Sequence, residues 1–229
     1  MASNNWRHCL TRAGHVFSGA LHQGCWNTTR RAGAPIGNMV QIDLGAPSLG
    51  AVDTVAAAQA VAAAGFLALD TNELDVARVV SITSSGADGA IVFTVSGTDI
   101  HGMPVVEEIT GVASTTVEGL KAFKRVTSVY ASGVCAGNIS VGDGDAIGLP
   151  YAVARVADVL EVITDGTKEL ATSTLVIGDF TKPATASTGD VRGTINPVTA
   201  LDGSKEVVVW KKADGTTPDR LGGVDQYAG

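Results

Sequence analysis

The stretch that decides the fold runs from LDVARVVSIT (74–83) to IVFTVSGTDIHGMPVVEEI (91–109). In the first segment, apolar side chains alternate along one face of a strand, and Arg78 interrupts that face. In the second, apolar and polar residues alternate up to Gly97, and the strand pattern resumes after Pro104. An apolar period of two on both sides of a glycine-containing turn predicts a β-hairpin that follows a first strand.

The same alternation continues along the chain and sets the fold class. Turn signals such as Asp165-Gly166, Asp202-Gly203 and Asp214-Gly215 separate short candidate strands. These strands are Phe123–Tyr130, Asn138–Val141, Ala157–Ile163, Leu175–Ile177, Gly193–Asn196 and Val207–Lys211. Many short strands at this spacing predict a mainly β protein whose antiparallel body is a sandwich or barrel.

The chain divides into three segments by composition. Residues 1–42 contain scattered glycines and no clean period, which predicts an extended N-terminal arm. Residues 43–72 form an alanine-rich connector, and residues 73–229 form the β-rich body, either as one unit or as two lobes at 73–150 and 151–229.

One short helix is expected in the connector. Residues 52–64 read VDTVAAAQAVAAA, which has the strongest helix propensity in the chain. Asp53 is a candidate N-cap and Gly65 a candidate stop. An apolar face made almost entirely of alanine gives little packing energy, so a collapsed connector is the alternative.

Charge is unevenly distributed between the arm and the rest of the chain. Residues 1–42 contain four arginines and no acidic residue, a formal charge of +4. Residues 43–229 carry the other 12 basic residues and all 23 acidic residues, a formal charge of −11. An acidic body disfavours nucleic acid as a partner, whereas a basic arm suits an acidic protein surface. The candidate partner-binding residues of the arm are Trp6, Arg7, Arg12, Trp26, Arg30 and Arg31.

Cysteine usage fits a protein made in a reducing cytoplasm. The three cysteines are an odd count in a long chain, which argues against a disulfide framework. No apolar signal-peptide core is visible at the N-terminus. The one apolar run, Val55 to Leu69, is too short to span a bilayer, so no membrane partner is expected.

Candidate chemistry is sparse. The histidines and cysteines of the arm lack the close pairs of a structural zinc site, so no metal is expected. Gly142-Asp143-Gly144-Asp145 is interpreted as a turn and not as a calcium loop. His101 lies two residues from Asp99, but no nucleophile motif accompanies them. The sequence therefore predicts no catalytic residue, no cofactor and no small-molecule substrate.

Several segments, in order, resemble a known group of proteins. They are LDVARVVSIT (74–83), FTVSGTDIHGMPVVEEITG (93–111), FKRVTSVYASG (123–133), ISVGDGDAIGLP (139–150), TGDVRGTINP (188–197) and DGSK (202–205). This series is similar to small virion proteins of tailed bacteriophages that are regarded as capsid decoration or cement subunits. The resemblance covers roughly residues 70–229.

The resemblance implies a structural, non-enzymatic role on the outer capsid surface. The expected partners are the major capsid protein and further copies of this chain, as a homotrimer. Two other roles stay open: a tail or head–tail connector component, and a carbohydrate-binding surface module. A hydrolase that uses His101 is the enzymatic alternative.

Overall fold

The computed structural model describes residues 39–169, 175–181, 184–212 and 226. Thirteen strands and one turn of 3-10 helix, Val156–Asp158, make up the regular structure of these residues. The strands are β1 (Met39–Asp43), β2 (Ala56–Ala60), β3 (Gly65–Phe66), β4 (Glu73–Ser84), β5 (Val92–Thr98), β6 (Pro104–Thr110), β7 (Thr116–Ala131), β8 (Asn138–Gly148), β9 (Val159–Thr164), β10 (Thr167–Glu169), β11 (Leu175–Ile177), β12 (Gly193–Ile195) and β13 (Val207–Lys212).

The strands form two antiparallel sheets. The larger sheet has nine strands in the order β11-β12-β8-β4-β7-β5-β6, with β2 added beside β8 and β3 beside β7, and it curls into a half-barrel. The smaller sheet has four strands in the order β1-β13-β9-β10. The predicted mainly β, antiparallel fold is therefore confirmed, and residues beyond 150 contribute strands to both sheets.

Two large apolar clusters form most of the core of the described residues. The larger lies within the curled sheet and includes Val80, Ile82, Phe93 and Phe123, all fully buried. The second joins the two sheets, because it combines side chains of β1, β9 and β13 with residues at the end of β8 and on β11 and β12. Val and Ile are common in these strands because β-branched side chains pack well on a buried sheet face.

The predicted hairpin is present as β5 and β6. Its register runs from Val92 opposite Thr110 to Thr98 opposite Pro104. At the turn, the carboxylate of Asp99 accepts hydrogen bonds from the backbone N–H groups of His101 (2.7 Å) and Met103 (2.9 Å). A short polar side chain that captures nearby N–H groups in this way stabilises the turn.

The connector contains a strand where a helix was expected. Residues 56–60 form β2, which pairs with β8 through Ala56 opposite Val141 and Gln59 opposite Ile139. Val55 and Ala56 are fully buried in the first core cluster, so sheet pairing and burial outweigh the helix propensity of alanine. Residues 39–42, assigned to the arm from sequence, belong to β1 and pair with β13, while residues 1–38 lie outside the described residues.

The prediction of a turn at Gly142–Asp145 is also wrong, because these residues lie inside β8. Asp143 is buried against Arg78 of β4 and therefore needs no exposed turn. Gly142 allows a close crossing of two chain segments, since a Cβ at this position would lie 1.9 Å from the carbonyl oxygen of Ala51. Gly142 thus marks close backbone approach within a strand, and Gly144 leaves room for the side chains of Val79 and Glu118.

Candidate interaction site

A groove of about 490 Å³ opens on the larger sheet between β7, β8, β11 and β12. Its apolar lining consists of Val79, Leu120, Ala146, Val176 and Ile177, and its polar lining includes Glu118, Asp179, Asp190, Thr194 and Asn196. Leu120 is 57% exposed and Val176 is 64% exposed, so large apolar side chains border the groove and face solvent. Its volume lies in the range of about 300–1,000 Å³ that is typical of binding clefts.

Acidic groups give the groove a negative character. The carboxyl group of Glu118 lies over Gly144, where a Cβ would come within 2.9 Å of it. Partial burial raises the pKa of Glu118, and the nearby charge of Asp145 is a second, smaller cause in the same direction. Hydrogen bonds from the side chain and backbone of Thr181 and from the backbone of Gly189 lower the pKa of Asp179 and keep it ionised. Within the described part of the chain, Glu118 forms no salt bridge.

A buried charge cluster lies directly beside the groove, centred on Lys121. The Lys121 side chain is fully buried, and its ammonium group donates to the backbone carbonyls of Val106 (3.0 Å), Thr185 and Gln226. Three acceptors match the three N–H groups of an ammonium ion. Lys121 thereby ties β6 and β7 to the segment that carries Thr185 and to residue 226 near the C-terminus.

Glu107 and Asp190 complete this cluster. Glu107 accepts hydrogen bonds from the backbone N–H groups of Leu120 and Lys121. Burial raises the pKa of Glu107 to about 7, because the charged form loses solvation that these bonds do not replace. Asp190 accepts hydrogen bonds from Ala122 N–H (3.0 Å) and from the Gln226 side-chain amide (3.0 Å).

Two arginines form further buried ion pairs. Arg78 contacts Asp143 at 2.5 Å, and Asp143 also accepts hydrogen bonds from Ala51 N–H and the Thr54 hydroxyl. Arg192 pairs with Asp99, the residue that holds the β5–β6 turn. Each of these arginines is paired with a carboxylate inside the protein, so the pairs position strands and loops and do not face a substrate.

A pair of aromatic rings is exposed elsewhere on the larger sheet. Phe66 on β3 is 73% exposed and lies opposite Tyr130 on β7. The ring centroids are 5.2 Å apart, and the ring planes are inclined at 70°. This edge-to-face geometry offers one exposed ring face and not a flat two-ring platform.

The residues predicted from sequence as partner-binding lie outside the described residues. They are Trp6, Arg7, Arg12, Trp26, Arg30 and Arg31. The histidine and cysteine residues of the arm lie there too. Over residues 39–169, 175–181, 184–212 and 226, no group of three or more His, Cys, Asp or Glu side chains is placed to hold a metal ion. The same residues contain no helix that could cross a membrane.

The side chains of the hydrolase alternative make other contacts in the structure. The ring Nε2 of His101 lies 3.0 Å from the carbonyl oxygen of Pro150, whereas the Asp99 side chain holds backbone N–H groups and Arg192. Sequence reasoning missed Lys121 and Glu107 as members of a buried cluster. A charged residue on an otherwise apolar strand face is the kind of sequence signal that indicates a buried charge. The sequence shows this signal for Arg78.

Comparison with known proteins yields no relative of this chain. No family model, no curated protein and no solved structure matches it.

Proposed function

We propose that this chain is a structural protein of a tailed-phage particle that decorates and cements the capsid. In this role it binds the lattice of the major capsid protein from the outside and stabilises it. The chain is made in the host cytoplasm and acts in the virion, without a cofactor and without catalysis.

The observation that carries the proposal is the number of large apolar side chains that face solvent on a body whose interior charges are paired. The exposed residues are Leu49, Val52, Phe66, Ile100, Leu120, Tyr130, Val134, Leu160, Val176, Ile177, Phe180 and Val198. Single exposed apolar residues are ordinary, but groups of them mark surfaces that contact other proteins. The ordered sequence segments that resemble decoration proteins support the same role.

A cementing subunit stabilises a shell by adding contacts across the seams between capsid subunits. A stable interface buries about 1,200–2,000 Å² in total. Contacts of modest affinity become effective when many copies bind the same particle, because each copy that binds two capsid subunits makes the second contact intramolecular. A homotrimer that caps three-fold positions is the arrangement we propose, since closed symmetry lets one surface serve every copy.

Copy number on intact particles tests this proposal. Quantitative mass spectrometry of purified particles, combined with electron microscopy, gives both the amount and the position of the chain. Hundreds of copies on the outer capsid surface are expected. A ring of about six or twelve copies would assign the chain to the connector or tail instead. Complete absence from mature particles would refute a virion role.

The exposed Phe66 and Tyr130 rings favour a second candidate, a carbohydrate-binding surface module. Aromatic faces stack on sugars, and Phe66 is largely exposed. Glycan-array binding of the full chain and of a Phe66→Ser variant tests this candidate. Glycan binding that the substitution abolishes would support it, whereas a blank array with the intact chain would remove it.

A further inference from the structure

We infer that the acidic groove between β7, β8, β11 and β12 is a receptor for the basic N-terminal segment, residues 1–38, of a neighbouring copy of this chain. The inference goes beyond capsid binding, because it assigns a site for self-assembly. It is testable without any phage particle, so its failure and the failure of the proposed function are distinguishable.

Charge complementarity is the first argument. Residues 1–38 contain Arg7, Arg12, Arg30 and Arg31 and no acidic residue. The groove presents Glu118 and Asp179, with Asp145 beside Glu118. Because Glu118 has no salt-bridge partner among the described residues, an arginine from outside would remove the repulsion between Glu118 and Asp145. Arginine also forms two parallel bonds to one carboxylate, which gives geometric selectivity.

The apolar lining is the second argument. Leu120, Val176 and Ile177 border the groove and remain exposed, the first two by more than half of their surface. Residues 1–38 contain two tryptophans, Trp6 and Trp26, each within four residues of an arginine. A segment that combines Trp and Arg matches a groove that combines apolar walls and carboxylates, and these two residue types dominate interface hot spots.

The reach of the segment is the third argument. The described chain begins at Met39 in β1, which is an edge strand of the smaller sheet. Thirty-eight extended residues span up to about 125 Å, whereas a folded chain of this length has a radius of gyration of about 17 Å. The segment is therefore long enough to cross to an adjacent copy. Binding in this direction links copies to each other, as the proposed homotrimer requires.

Charge-reversal variants of the full chain test the inference by sedimentation velocity. The groove variant is Glu118→Lys, and the arm variant is Arg30→Glu/Arg31→Glu. The matched control is Glu206→Lys, which makes the same charge change at an exposed residue outside the groove. Wild type and control are expected to self-associate, and less strongly at high salt. The groove and arm variants are each expected to associate at least tenfold more weakly.

Mixing the two defective variants gives the decisive result. The groove variant has an intact arm, and the arm variant has an intact groove, so a 1:1 mixture is expected to form mixed complexes that neither variant forms alone. Far-ultraviolet circular dichroism checks that each variant is folded. A wild-type chain that stays monomeric, association unaffected by Glu118→Lys, or a mixture without mixed complexes would each overturn the inference.

Cross-linking gives an independent measurement, because the arm carries Cys9 and Cys25. In a Cys135→Ser background, Ile177→Cys places a thiol at the groove, and Val198→Cys places one at an exposed apolar residue that does not line it. A thiol-specific cross-linker is expected to give covalent dimers with Ile177→Cys and few with Val198→Cys. Cross-links confined within one chain would show that each groove takes its own arm and would overturn the inference.

Discussion

Replacement of Arg78 by Met tests whether the buried ion pairs hold the curled sheet together. The Arg78 side chain is fully buried, and that of its partner Asp143 is 4% exposed. Met keeps most of the volume and removes the charge. Asp143 would then be a buried carboxylate whose hydrogen bonds, among the described residues, come from Ala51 and Thr54 alone. Removal of one partner of a buried pair costs about 3–5 kcal/mol, because the other charge stays desolvated and unpaired.

This loss is large relative to the total stability of a domain, which is about 5–15 kcal/mol. For a chain of this size, each kcal/mol lowers Tm by about 2–4 °C, so Arg78→Met is expected to lower Tm by roughly 6–20 °C. Urea unfolding followed by circular dichroism at one fixed protein concentration gives the free energy of unfolding. The fixed concentration matters because self-association adds to the apparent stability.

The control is Lys168→Met, which breaks the exposed pair between Lys168 and Glu161. An exposed pair contributes about 0–1 kcal/mol, and high salt weakens it further. The double variant Arg78→Met/Asp143→Leu removes both charges and is expected to recover part of the lost stability. If Arg78→Met lowered the free energy of unfolding no more than Lys168→Met does, the buried pair would not be a stabilising contact and the reasoning would fail.

Three further predictions follow from the buried groups. The raised pKa of Glu107, about 7 against an ordinary 4.5, means that its protonation stabilises the folded state fully below pH 4.5 and that this contribution is lost as the pH rises through 7. Urea titrations across this window should show that the free energy of unfolding falls by an amount on the order of 3 kcal/mol. We expect Glu107→Gln to remove this pH dependence and the exposed control Glu108→Gln to keep it. Gln226→Ala should lower the free energy of unfolding by about 1–3 kcal/mol, because its side-chain amide bonds both Asp190 and a backbone N–H; an unchanged urea midpoint would contradict this. Gly142→Ala should lower the free energy of unfolding by about 1–3 kcal/mol or more, and therefore lower Tm, because the added Cβ clashes with the Ala51 carbonyl. The control Gly65→Ala has open space around it and should leave Tm nearly unchanged.

The sequence predicted the sheet elements well because their signal is local. The alternation in residues 74–83 and 91–109 depends only on which face of each strand is buried, and β4, β5 and β6 lie where it places them. The turn at Asp99 was also predictable, since its hydrogen bonds reach only two and four residues along the chain. Patterns of this kind need no knowledge of distant partners.

The failures share a dependence on distant partners. Residues 56–60 have helical propensity, but they form a strand because they pair with β8, some 80 residues later in the chain, and pack into the core. The segment Gly142–Asp145 has the composition of a turn, but the ion pair with Arg78 allows Asp143 to be buried within a strand. The groove is lined by residues of β7, β8, β11 and β12 that are far apart in sequence, so no local sequence pattern predicts it. Tertiary contacts override local preference at each of these places.

Arg78 connects the sequence pattern to the curvature of the sheet. It interrupts the apolar face that the alternation predicts, and the pairing of β4 with both β7 and β8 shifts register next to it. Such irregularities bend a strand and increase its twist, which suits a sheet that curls into a half-barrel. The bend lets a charged side chain on an apolar face meet Asp143 in the interior. Because a one-residue slip of β4 would separate the two charges, the pair also favours a single register.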